Sequence, residues 1–240
     1  MSLVELAAQY PQKAGTRRAL LTEVTRMNGG LVCVAGLDLD NHQMLRPLQS
    51  SGANWEEAKW VKEGYMQVGN VISIEPAAAA TSDFPHRTED CLVAKVGILG
   101  QATPAQLYSA CIETADDSIN DLFSGSLIDN KFVNAGTDCR SLGCVLVVGS
   151  ELRVSGAYDK VQISYSCGFG DWQNLTVTDL AIKSCESSAV GAATVQQQIA
   201  GAGNQYMALR VGLARAWDGP DHNYDPKRCY IQLNGLISPV

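Results

Sequence analysis

The chain is 240 residues long, 46% hydrophobic and 18% charged, with a formal net charge of −7. That length buries a sizeable core in one large or two small domains. The acidic balance excludes a protein that coats DNA or RNA through bulk positive charge, because such binding draws its energy from Lys and Arg neutralising phosphates; a local basic site stays open. Residues 1–16 read as a short helix or tail, stopped by Pro11 and Gly15. Residues 19–24 form a first strand. Asn28-Gly29-Gly30 then makes a tight turn, since Asn and Gly tolerate positive φ.

The apolar run 31–39 is the central strand. Period two puts Leu31, Cys33, Ala35 and Leu37 on one face and Val32, Val34, Gly36 and Asp38 on the other. A third strand ends in Leu45-Arg46-Pro47-Leu48, completing an antiparallel meander. Pro47 cannot donate to a ladder, which places it at an edge or strand end and Arg46 at the rim of the sheet. Residues 55–62 form one or two helical turns whose tryptophans pack onto the sheet. Strands follow over 68–77 and 91–99, separated by a polar loop around His86.

Thr103-Pro104 is a helix start, with Thr as N-cap and Pro at the first helical position. The helix is expected to run to Phe123, with Glu113, Asp116, Asp117 and Asp121 as a solvated acidic face or a docking surface for a basic partner. From Gly136 the pattern restarts: strands over 143–149, 158–166, 174–183, 206–217 and 228–237, and a helix over 187–200. Each half thus holds about five antiparallel strands and a helix. The expected division is a tail over 1–16, a first barrel with its following helix over 17–135, and a second barrel over 136–240.

Eight cysteines lie scattered, mostly inside apolar runs. No basic-then-apolar leader opens the sequence, and no apolar run approaches the roughly 18 residues of a membrane span. The expectation is a reduced, cytoplasmic protein with buried free thiols and no membrane contact.

Cys33-Val34-Ala35-Gly36-Leu37-Asp38 followed by Leu45-Arg46-Pro47, and Leu213-Ala214-Arg215 followed by Cys229-Tyr230-Ile231-Gln232-Leu233-Asn234-Gly235, resemble the dual OB-containing domain family. The loop Pro85-His86-Arg87-Thr88-Glu89-Asp90 resembles that family's middle segment. The resemblance covers residues 17–237. It implies a mainly β fold of two tandem OB-like five-stranded barrels with interspersed helices, in a prokaryotic cytoplasmic protein of nucleic-acid-related role. OB barrels bind oligonucleotides or oligosaccharides across one sheet face and its loops.

The candidate ligand contacts are Arg46, Arg215, Trp217, Arg228 and Tyr230. Each pairs a planar cation with an aromatic or a strand edge, a combination that stacks a base or clamps a phosphate. Against this stands the parity of Arg215 and Trp217 with Leu209, Val211 and Leu213, the expected inward face. In that reading Trp217 plugs the barrel end and Arg215 pairs with Asp218 or Asp225. Arg210 is expected on the solvent side. His86 with Glu89 and Asp90 reads as a solvated loop rather than an acid–base centre, and Cys139 with Cys144 lacks the partners of a zinc site. No phosphate loop, dinucleotide fingerprint or nucleophile elbow is present, so no cofactor, metal or catalytic residue is expected. The reading is a non-enzymatic binding module for single-stranded nucleic acid or a nucleotide-like ligand, within a larger assembly. The alternative is a structural adaptor that holds protein partners through its acidic helix.

Overall fold

The computed structural model describes all residues except 1, 80, 81, 158, 169, 217–224, 226 and 240. The chain forms two compact units, the first from Met1–Ser82 with Glu89–Thr114 and the second from Asp83–Thr88 with Ala115–Pro239.

In the first unit, β1 (Arg17–Arg26), β2 (Leu31–Asp38), β3 (Met44–Gln49), β5 (Asn70–Ala79) and β6 (Asp90–Gln101) close into a barrel, and the two-residue strand β4 (Trp55–Glu56) adds to β2. β1 pairs with both β2 and β5, β5 with β6, and β3 with β2, all antiparallel. The ring is closed by a parallel pair, β3 with β6, at Arg46↔Asp90 through Gln49↔Val93. The expected all-antiparallel order is corrected at this one seam.

That seam also corrects Arg46. β3 has β2 on one side and β6 on the other, so Arg46 is not at a rim. It is 4% exposed, and its guanidinium meets Asp90 at 2.8 Å. Burial works against its charge, yet Cys33, Asp90 and Glu89 outweigh this and raise its pKa. Pro47 lies where β2 no longer pairs with β3, and its carbonyl accepts the Trp55 indole N–H at 2.7 Å. Trp55 is buried edge-on to Trp60, as expected of aromatic side chains that pack this excursion onto the sheet. The excursion is a single π-helical turn, Glu57–Val61.

Helix α1 (Leu3–Ala8) buries Leu3 and Leu6, and α2 (Pro104–Glu113) starts at the expected Thr103 cap. α2 ends ten residues before Phe123. Beyond it the chain turns extended, and the Asp116 N–H donates to Cys144 O at 2.8 Å. A new cap at Ser118 then starts the four-residue α3 (Ile119–Leu122). The acidic residues therefore do not share one face. Glu113 accepts from Leu3 N–H, Asp116 pairs with Arg140, and Asp121 accepts from the Ser118 hydroxyl.

The second unit has a four-stranded sheet of β7 (Phe132–Asn134), β13 (Arg228–Ile237), β12 (Tyr206–Leu213) and β8 (Leu142–Val148), and a three-stranded sheet of β11 (Asp171–Thr176), β10 (Lys160–Gly168) and β9 (Arg153–Ala157). β8 and β9 belong to one continuous run of chain. A 3-10 turn at Gly149–Glu151 carries it from the first sheet to the second. A parallel bridge between Val177 and Leu233 joins the sheets at their other margin. The order again follows a barrel, as expected of two OB-like barrels.

Helix α5 (Ser188–Ala202) buries Gly191, Val195, Ile199 and Ala202 as one stripe and lies on β9. Gly156 permits the close approach, because a Cβ there would sit 2.6 Å from Ser188 O. The core of this unit includes Phe123, Val145, Ile163, Leu175, Val195, Leu209 and Leu233. The expected strand 174–183 stops at Thr176, where Asp179 caps α4 (Leu180–Lys183). Residues 115–135 belong with this unit through β7 and α3, whereas the sequence pattern put the division near 131–136. Among the described residues no helix is long and apolar enough to cross a membrane.

Candidate functional site

The site grows out of strand alternation in the second unit. On β13, Cys229, Ile231 and Leu233 are buried, which turns Arg228, Tyr230 and Gln232 outward. On β11, Gln173 and Leu175 are buried, which turns Asn174 and Thr176 outward. The Val177–Leu233 bridge and the bonds from Thr178 N–H and Oγ1 to Leu233 O, at 2.8 and 3.0 Å, hold these strands side by side.

β7 lies against the first half of β13. Phe132 stands opposite Tyr230, with ring centroids 5.7 Å apart and tilted by 56°. Lys131 is fixed just ahead of it, its carbonyl accepting from Ile231 N–H at 2.9 Å. On the other edge, Ala214 N–H donates to Tyr230 O at 2.8 Å, which sets Arg215 beside β13.

These elements surround a cavity of about 450 Å³. Lys131, Lys160, Arg215 and Arg228 line it with Tyr230, and Asn174, Thr176 and Gln232 supply neutral polar groups. Asp225 is the one carboxylate among the described lining residues. Arg228 Nε lies 3.1 Å from Asp225 Oδ2, and its guanidinium carbon sits 4.3 Å from the centre of the Phe132 ring. Both partners of the ion pair are about 40% exposed, so screening holds it to roughly 0–1 kcal/mol. The ring contact orients the guanidinium independently, at about 0.5–1 kcal/mol for an exposed cation over an aromatic. Behind the cavity, burial pushes the Cys229 thiol up, opposed by a backbone hydrogen bond at Ala216 and the charge of Arg215. Four cations, an aromatic and a polar floor can clamp an anionic, planar ligand.

Of the expected contacts, the fold brings Arg215, Arg228 and Tyr230 together. Trp217 and His222 lie outside the described residues, as does most of the polar loop 218–226. Arg46 is in the other unit and committed to Asp90, so it leaves the site. Arg215 is exposed: β12 ends at Leu213, and the inward parity of that strand does not extend to it. Asp225 pairs with Arg228.

Arg210 is fully buried rather than solvent-facing, because β12 is flanked by β8 and β13 and both its faces are covered. It stands opposite Gly235 on β13. His86, Glu89 and Asp90 are buried, not solvated. Cys139 and Cys144 are buried free thiols. Sequence reasoning missed Lys131, Lys160, Asn174 and Thr176. Alternation along 171–176 carries the signal for the last two, whereas nothing local marks Lys131.

The sequence model of the dual OB-containing domain matches residues 19–236. A murine DNA-binding protein solved with double-stranded DNA is similar at 9% identity and a TM-score of 0.35, over 94% of this chain and 96% of that one. A likeness that loose bears on neither fold nor ligand. No curated protein matches the chain.

Proposed function

From the premise that the chain belongs to the dual OB-containing domain family, we propose that it is a binding module for single-stranded nucleic acid, and that the second barrel makes the contact. One observation carries the reading: Lys131, Lys160, Arg215 and Arg228 converge with Tyr230 on the outward face of β11 and β13. That is the kind of face and loop on which OB barrels hold oligonucleotides. Cations neutralise phosphates, and an aromatic at their centre stacks a base without regard to its identity. A net charge of −7 does not oppose this, because among the described lining residues four cations face one carboxylate, a balance that favours an anion.

The test is an anisotropy titration of labelled single-stranded DNA and RNA at low and at physiological salt, on the intact chain and on Arg215→Ala/Arg228→Ala. Binding should weaken as salt rises, with a log–log slope of about −0.7 for each phosphate contacted. The double substitution should remove most of it. No binding at low salt, where attraction is least screened, sinks the reading and leaves the adaptor role.

A further inference from the structure

Trp172 is 52% exposed and lies on β11 two residues before Asn174. Period two gives it the same outward face as Asn174 and Thr176, which line the cavity. It stands opposite Ser166 on β10, at the far end of that hairpin from Lys160. Between the two ends, the outward positions are Gln162 opposite Thr176 and Ser164 opposite Asn174. All four are neutral and polar, and no carboxylate interrupts them.

Four residues of strand put Trp172 about 13 Å from Thr176. A base stacked on the indole has its ring centre within roughly 4.5–7 Å of it. One nucleotide therefore cannot stack on Trp172 and lie among the cations that surround Thr176. Resting on the function proposed above, we infer that the ligand is a strand of several nucleotides, which runs along the outward face of β11 from the cationic cavity to Trp172. Trp172 is a second stacking platform, and the neutral ridge between lets the backbone pass without a repelling charge. The same geometry disfavours a free mononucleotide as the natural occupant.

Calorimetric titrations with unlabelled 5′-phosphorylated oligothymidylates of one, two, four and eight nucleotides test this on the intact chain. Affinity should rise about tenfold or more between one and four nucleotides, the gain expected of one added base–aromatic stack. Trp172→Leu keeps apolar bulk but removes the aromatic face, so it should erase that gain and leave mononucleotide affinity unchanged. Trp172→Phe should keep most of the gain, which separates stacking from loss of fold. Equal affinity at all lengths, or a gain that survives Trp172→Leu, overturns the inference. The function itself still stands in that case if Arg228→Ala/Tyr230→Ala abolishes binding at every length. Failure of all lengths to bind overturns both.

Discussion

The two barrels put the same kind of residue to opposite uses. In the first, most of β2 and β3 between Val32 and Leu48 is buried on both faces, with charge enclosed where Arg46 meets Asp90 at 2.8 Å. In the second, β10 and β11 bury one face only, and the cations Lys160, Arg215 and Arg228 stand outside. Strand order alone therefore does not make a ligand site. What makes one is whether the outward residues of those strands stay in water. An enclosed arginine holds its own barrel together; an exposed one keeps its guanidinium in contact with water.

The largest expected effect lies in the first barrel. Arg46→Met strands the buried Asp90 carboxylate and should cost about 3–5 kcal/mol, read as a lower denaturation midpoint. Adding Asp90→Leu should recover much of it, since an apolar pair of similar volume avoids the desolvation penalty. Loss of less than about 1 kcal/mol on Arg46→Met would break the contrast between enclosed and exposed arginines. In the second barrel, Tyr230→Ala should weaken oligonucleotide binding by about 5- to 150-fold, the range for one stacked base, with a much smaller effect on melting than Arg46→Met.

Arg228→Ala removes a surface ion pair and an exposed ring contact and should cost at most about 2 kcal/mol of stability, while it reduces the salt slope of binding by about 0.7. The smallest effect is chemical. Cys167 is the exposed cysteine, so a thiol reagent should modify it first, and Cys91 and Cys111 of the first barrel only on unfolding. Burial and then Asp171 push the Cys167 thiol up, so it is mostly protonated near neutrality, and its labelling rate should climb with pH until the raised pKa is passed.

Much of this architecture was legible in local chemistry. The strand 228–237 and the cap at Thr103 were readable because turn residues and alternation mark them without help from distant chain. The failures share a cause. Arg46 looked like a rim residue because Pro47 follows it, and the parallel partner that encloses it, β6, lies 44 residues away. Arg210 looked outward by parity, but a central strand has no outward side once both faces are covered.

The site was half legible for the same reason. Arg228 and Tyr230 share a strand and Arg215 flanks the preceding one, so their grouping follows from adjacency. Lys131 and Lys160 reach the cavity only through pairing between distant segments. Trp172 sat in plain alternation with Asn174 and Thr176 but was hidden by placing the strand's start three residues late, at 174 rather than Asp171.

The short strand β7 stands outside the five-strand frame, yet it runs along the free edge of β13 beneath Arg228 and Tyr230. One more strand adds an interstrand spacing, about 4.8 Å, to the breadth of the floor. The barrel's circumference is unchanged by it. The width of the floor and the closure of the barrel are therefore set by different stretches of chain. The segment between α3 and β7 delivers Lys131 to that floor while Phe123 and Leu127 anchor it to the core.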